Sequence, residues 1–87
     1  MKKCINSYHE LIEWCGSILL DDDFMSKVSC PKVSFYFSLS AFEIQGELGV
    51  NYFDINNIPP IVRKADSLSL YAKDSMLMFK AHYQAEE

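Results

Sequence analysis

Three consecutive aspartates, Asp21, Asp22 and Asp23, form the densest charged segment of the 87-residue chain. Carboxylate oxygens bind divalent cations, but a calcium loop needs them at alternating positions, with a glycine turn and a distal glutamate, and the sequence lacks that pattern here. A short apolar stripe follows the triplet, which favours carboxylates that cap the first turn of a helix. A docking patch for a basic partner is the second interpretation of the same residues.

Histidine and cysteine are the next candidates, because they supply bases, nucleophiles and metal ligands. The histidines are His9 and His82, without an H-x-x-x-H pair, and the cysteines are Cys4, Cys15 and Cys30, without a C-x-x-C pair. This spacing predicts neither a zinc site nor a thioredoxin-like centre. We interpret the cysteines as small apolar residues, with Cys15 in the core, and the histidines as structural or solvated. A thiol and an imidazole assembled in space would instead make a small enzyme.

Glu43 and Glu47 are the remaining candidates for acid–base chemistry. Four positions apart on a strand, they share one face at a separation of roughly 13 Å, since each residue rises about 3.3 Å. That separation exceeds the one that glycosidases use. Gly16, Gly46 and Gly49 are scattered and form no phosphate-binding loop. The sequence therefore predicts no catalytic, cofactor-binding or metal-binding residues and a protein that is not an enzyme.

Charge and composition narrow the choice of partner. Twelve acidic against eight basic residues give a net charge of −4, and no basic run is longer than Lys2-Lys3 or Arg63-Lys64. Nucleic acids and anionic membranes attract clustered cations, so we expect direct binding to neither. A protein partner with a basic surface is compatible with this charge. Apolar residues make up 49% of the chain, which is enough for one core, and we expect a single domain over residues 1–87.

The first residues do not predict a secretion signal. Met1-Lys2-Lys3 resembles the basic start of one, but His9, Glu10 and Glu13 interrupt the apolar stretch that should follow. No apolar run approaches the roughly 18 residues of a membrane-spanning helix. Three widely spaced cysteines suit a reducing compartment, so we expect a cytoplasmic protein.

An N-terminal amphipathic helix is predicted for the segment that contains His9 and Cys15. Ser7 and Glu10 have the spacing of a capping box. Trp14 lies at the border of an apolar face with the period of a helix, made of Leu11, Ile12, Cys15, Ile18 and Leu19.

Two short helices are predicted further along the chain. The first follows the aspartates and ends before Cys30-Pro31, with an apolar stripe of Phe24, Met25 and Val28. The second has Asn57 as its cap and prolines in its first turn, where they are tolerated, and its apolar stripe is Ile58, Ile61, Val62 and Ala65.

Alternating apolar residues predict two hairpins. In the first, one arm carries Val33, Phe35, Phe37 and Leu39, and after a change of phase near Ser40-Ala41 the other carries Phe42, Ile44, Leu48 and Val50. In the second, Lys73-Asp74 is the predicted turn between Leu68, Leu70 and Ala72 on one arm and Leu77, Phe79, Ala81 and Tyr83 on the other. Gly49 to Asn57 is predicted to be a loop anchored by Tyr52 and Phe53, and Gln84 to Glu87 is expected to fray.

This order of elements predicts an α+β fold, with an antiparallel sheet of about four strands and all helices packed on one face. The other face would present mainly polar and amphipathic residues, namely Ser34, Tyr36, Ser38, Glu43, Gln45, Glu47, Ser67, Ser69, Tyr71, Met76, Met78, Lys80 and His82. Tyrosine and methionine are enriched in interface cores, so this face is a candidate binding surface. The alternative is that Met76 and Met78 pack under a helix and the tyrosines cover an ordinary sheet.

The leading functional hypothesis is a small acidic protein-interaction module, of the inhibitor or immunity type, that blocks a larger basic target. A nucleic-acid-processing enzyme is one such target, as for phage counter-defence proteins. The partner-binding residues would be Asp21, Asp22, Asp23, Tyr36, Glu43, Glu47, Tyr71, Met76 and Met78, the acids steering association and the tyrosines anchoring it. The alternative is a structural or assembly subunit that self-associates through its sheet into a homo-oligomer. The small cysteine–histidine enzyme is third.

Overall fold

The computed structural model describes residues 3–4, 7–49 and 55–86, and it confirms the α+β class. Phe37–Leu39 and Ile55–Asn57 each form a 3₁₀ turn. The strands and helices are β1 (Lys3–Cys4), α1 (Tyr8–Leu19), α2 (Asp22–Lys27), β2 (Ser29–Tyr36), β3 (Ala41–Glu47), α3 (Pro60–Arg63), β4 (Ser67–Lys73) and β5 (Met76–Glu86). Predictions about Val50, Tyr52 and Phe53 lie outside the described residues.

The main sheet has four antiparallel strands in the order β4-β5-β3-β2, so β2 and β4 form its edges. β5 extends past the first residue of β4, and its last residues pair in parallel with β1, with Lys3 opposite Ala85. The prediction that the chain frays from Gln84 was wrong for the described residues, because β5 continues to Glu86. The Ala85 N–H also donates to the Ser40 carbonyl at 2.9 Å.

The turns of both hairpins contain non-glycine residues with positive φ. Phe37–Leu39 was predicted to continue the strand but forms a 3₁₀ turn, and Ser40 closes it with φ of 50°. This turn is the source of the change of phase in the sequence. The second turn is Asp74-Ser75, one residue later than predicted, with φ of 51° and 65°. Positive φ at both positions of a two-residue loop defines a type I′ turn, which matches the twist of the strands it joins.

The helices cover one side of the sheet, which we call the inner face. Trp14 of α1, placed at the border of the apolar stripe by its spacing, is 3% exposed, and its ring meets Phe42 and Tyr83 edge-on at 5.1 and 5.9 Å. Cys15 is buried as predicted, whereas Ile12 is 48% exposed. The helix is therefore rotated slightly toward its tryptophan, since the large ring covers more of the sheet than a second aliphatic side chain would.

α2 packs against the same inner face. Its Phe24 ring lies 6.3 Å from that of Phe79, in an edge-on arrangement. Val28, at the end of the helix, fits against Gly46 so closely that a Cβ on that glycine would lie 2.5 Å from the valine Cγ1. A glycine on β3 is thus what allows the helix to approach the sheet.

α3 is held to the sheet by a hydrogen bond from a buried side chain. The Tyr83 hydroxyl donates to the Ile61 carbonyl at 2.9 Å, and burial raises the pKa of Tyr83 above its ordinary value. The predicted cap at Asn57 was wrong. The helix begins at Pro60, Pro59 occupies the cap position without a side-chain hydrogen bond, and Asn57 lies in the preceding 3₁₀ turn.

Candidate functional site

The side of the sheet opposite the helices, which we call the outer face, carries the residues that strand alternation assigned to it. Ser38 is the exception, because it lies in the 3₁₀ turn. Lys32 and Lys73 also belong to the outer face by register, and extending the alternation of β2 and β4 by one step would have found both. Met76 and Met78 are half-buried on this face, where none of the described helices packs over them.

Strand register arranges the outer face in rows that cross the sheet. One row runs through Ser34, Glu43, His82 and Ser67, and the next through Lys32, Gln45, Lys80 and Ser69. A third joins Glu47, Met78 and Tyr71. The face therefore changes along its strands from polar and charged rows to an apolar end.

At the polar end, two of the candidate binding residues interact directly. The Tyr36 hydroxyl donates a hydrogen bond to a carboxylate oxygen of Glu43 at 3.0 Å. This bond, together with the negative charge of Glu43, raises the pKa of Tyr36, because both favour the protonated phenol. The ring of Tyr36 also lies 6.4 Å from that of His82. The tyrosine is 39% exposed, so its orientation is fixed while its surface stays open to a partner.

At the apolar end, the face has a depression with a volume of about 380 Å³. Four of the candidate residues meet there, namely Glu47, Tyr71, Met76 and Met78. Polar and charged side chains complete its wall, among them Lys32 and Lys73. Tyrosine and methionine side chains beside charged groups are a combination found where the core of a small interface meets its polar rim.

Cys30 also lines this depression, and sequence patterns did not single it out as a surface residue. It has φ of 52° in the irregular part of β2, where the register with β3 shifts between Ser29 and Lys32. A hydrogen bond with Glu47, together with the negative charge of that residue, raises the pKa of this exposed thiol. The positive charge of Lys32 lowers it, but by less. The thiol therefore stays protonated at neutral pH and is not an activated nucleophile.

The three aspartates lie on the helical side of the molecule. Asp21 caps α2 by accepting a hydrogen bond from the Phe24 N–H at 3.0 Å, as one interpretation of the sequence expected. Asp23 pairs with Lys27 at 3.5 Å, and Asp22 is exposed. Because α2 packs on the inner face, these carboxylates and those of Glu43 and Glu47 belong to two separate surfaces.

The side chains of His9, His82, Cys15 and Cys30 occupy four different environments. His9 lies 2.9 Å from Glu13 on the exposed side of α1, and His82 is on the outer face. Cys15 is in the core, where burial raises its pKa to about 11. Within residues 3–4, 7–49 and 55–86, no three His, Cys, Asp or Glu side chains are placed to hold a metal ion. Over the same ranges, no helix is long and apolar enough to cross a membrane.

Comparison with known proteins gives no relative: no family model, no curated protein and no solved structure matches this chain. The functional conclusion therefore depends on the surfaces described above.

Proposed function

We propose that the chain is a small non-enzymatic protein-interaction module that binds a larger protein through the outer face of its sheet. The observation that carries this proposal is the position of Tyr71, Met76 and Met78 around one depression on the face that the described helices leave uncovered. These residue types are rigid or adaptable apolar anchors, and they are common in interface cores.

The charges of the outer face favour a protein over a nucleic acid. Lys32, Lys73 and Lys80 on this face are balanced by Glu43, Glu47 and Asp74, which follows Lys73 in the turn and lines the same depression. A phosphate backbone requires a surplus of cations, which this balance does not provide. Alternating charges around an apolar centre instead give a protein interface its rim, where they set orientation and exclude wrong partners.

The overall charge suggests the kind of protein that is bound. At a net charge of −4, the chain is attracted to a basic target over a distance of about 10 Å at 0.1 M salt and about 30 Å at 0.01 M salt. The aspartates on the helical side would add to this attraction without touching the partner. We therefore propose an inhibitor or immunity-type regulator that covers part of a basic protein, such as a nucleic-acid-processing enzyme. The free thiols of Cys15 and Cys30 are consistent with action in the cytoplasm.

The test is capture of partners from native host extract by the tagged chain, with quantification by mass spectrometry. The Tyr71→Ser and Met78→Ser double variant should lose the specific partner, because its anchors are removed from an exposed face without disturbing the core. Asp22→Asn is the matched control on the helical side, and it should retain the partner at physiological salt and associate more slowly at low salt. Equal recovery of every specific protein by the double variant would refute the proposed surface.

A further inference from the structure

The two edges of the main sheet differ in how well they are protected against further strand pairing. On β2, Pro31 lacks an N–H, Cys30 has a left-handed backbone, and the register is irregular between Ser29 and Lys32. Prolines, irregularities and lysines are devices by which natural sheets prevent edge-to-edge association. This edge is therefore unsuited to accept another strand.

β4 carries none of these devices along most of its length. Its sequence from Ser67 to Ala72 contains no proline and no charge, and its pairing with β5 is regular over the whole strand. Among the described strands, it pairs only with β5, so its second row of N–H and C=O groups faces away from the sheet. A regular, uncharged edge of this length is a template for an added strand.

The inward side chains of β4 are also incompletely covered. Leu68 and Leu70 pack against the core but are only half-buried, whereas Ala81 and Phe79, which lie opposite them on β5, are 0% exposed. An additional strand beside β4 would bring new side chains against these leucines and remove more of their surface from water.

We propose that the strand added at this edge is β4 of a second copy of the chain, paired antiparallel about a twofold axis. A copy of β4 supplies both backbone partners and apolar side chains for this edge. When Ser69 is at the axis, Leu68 of each copy lies opposite Leu70 of the other. Lys73, the only charge of the strand, comes opposite Ala65, two residues before the opposite strand begins, and is therefore away from its own symmetry mate. Parallel pairing would bring the two lysines together.

The consequence is one continuous sheet of eight antiparallel strands, four from each copy. An antiparallel pair that keeps side-chain alternation places the outer faces of both copies on the same side. The dimer would therefore display two depressions on one surface. This inference does not rest on the proposed function, because pairing uses the edge of the sheet, and purified protein without any target is sufficient to test it.

Sedimentation equilibrium of the purified chain is the test. We expect reversible dimers between about 10 μM and 1 mM, since a single-strand interface is at the small end of specific interfaces. Ser69→Lys places two lysines together at the axis and should raise the dissociation constant by roughly tenfold or more. Ser34→Lys is the matched control, because it makes the same change on the outer face of β2 and should leave the dissociation constant unaltered.

Cross-linking of introduced cysteines tests the register of the two β4 strands, in a chain whose Cys4 and Cys30 are replaced by serine. A cysteine introduced as Ser69→Cys lies opposite its copy and should be joined by a short bifunctional maleimide, whereas Ser67→Cys lies opposite Tyr71 and should react much less. A wild-type chain that stays monomeric over the whole concentration range, or a Ser69→Lys dimer as tight as the wild type, would overturn the proposal. Equal cross-linking at both positions would overturn the register.

Discussion

The inner and outer faces of the sheet are built from the same strands, yet they carry different constraints. Along β5, Leu77, Phe79 and Ala81 are buried, whereas Met78 and His82, which alternate with them, are half-buried. Helices cover the first set, so each of its side chains must fit its neighbours. No described helix covers the second set, and its side chains are free to be selected for binding. Stability and recognition are therefore assigned to alternate side chains of the same strand.

The largest difference in stability between the two faces is expected at adjacent residues on β5. Phe79→Ala removes a ring that is 0% exposed and that meets Phe24, and it should cost about 3–5 kcal/mol of unfolding free energy. That is comparable with the whole stability of about 5 kcal/mol expected for a small domain, so the variant should be largely unfolded at 25 °C. Met78→Ala should cost about 1 kcal/mol or less.

Urea denaturation followed by circular dichroism measures both variants. Similar losses of stability in the two variants would contradict this difference between the faces. Such a result would mean that the outer face also contributes to the core, and that the methionines are held by packing rather than kept for a partner.

A second contrast concerns two glycines, one at a close contact and one in open space. At Gly46, an added Cβ meets Val28 and Phe79 at 2.5 and 2.9 Å, and Gly46→Ala should cost about 1–3 kcal/mol because α2 must move away from the sheet. At Gly16, within α1, an added Cβ meets nothing within 4 Å, and Gly16→Ala should stabilise the chain by roughly 0.5–1 kcal/mol.

Opposite signs in these two alanine variants, read as melting temperatures by calorimetry, are the expected outcome. A loss in Gly16→Ala similar to that in Gly46→Ala would show that the helix preference of alanine does not decide stability at this position.

The inner face was the more predictable of the two from sequence. Leu11, Cys15, Phe42 and Tyr83 reach it by simple periodicity, and all four are buried. Periodicity failed where a turn contained no glycine or proline. Phe37 and its neighbours continue the alternation of β2 but form a 3₁₀ turn, because the hydrogen bonds of a hairpin turn depend on backbone angles that side-chain patterns do not encode.

The candidate site was predictable residue by residue but not as an arrangement. The alternation of side chains along each strand placed Glu47, Tyr71 and Met78 on one face. Their alignment in a single row depends on the register of three strands. Pairing between strands distant in sequence is set by packing of the whole chain. The place of Cys30 in the depression also depends on the irregularity of β2, which no local residue pattern indicated.

Cys15 and Cys30 allow a third test, in which the pH dependence of stability distinguishes a thiol of the inner face from one of the outer face. Burial raises the pKa of Cys15 to about 11 from an ordinary value of 9.0, so the folded thiol keeps its proton after the unfolded thiol has lost it. The unfolded state then binds fewer protons, and stability must fall as pH rises from about 9 to about 11. Cys15→Ala should show a shallower fall over this range in urea denaturation.

Cys30→Ser is the control for this measurement, because its thiol lies at the surface beside Glu47. Its pKa is raised by Glu47, but by less than burial raises that of Cys15, so Cys30→Ser should reduce the slope less than Cys15→Ala does. A Cys15→Ala variant with an unchanged slope would show that other groups with raised pKa values, such as Tyr83, account for the alkaline loss.

The smallest expected effect concerns the turn that decides which β5 residues reach which face. Asp74 and Ser75 both have positive φ, and a slip of one residue there would move Met76 and Met78 to the inner face. Ser75→Gly removes the cost of a left-handed serine and should stabilise the chain by about 0.5–1 kcal/mol. Ser69→Gly, in the extended β4, should destabilise it by about the same amount. Thermal melts measure the pair, and an equal loss in both would show that the Ser75 side chain, rather than its backbone angle, holds the turn that keeps the two faces apart.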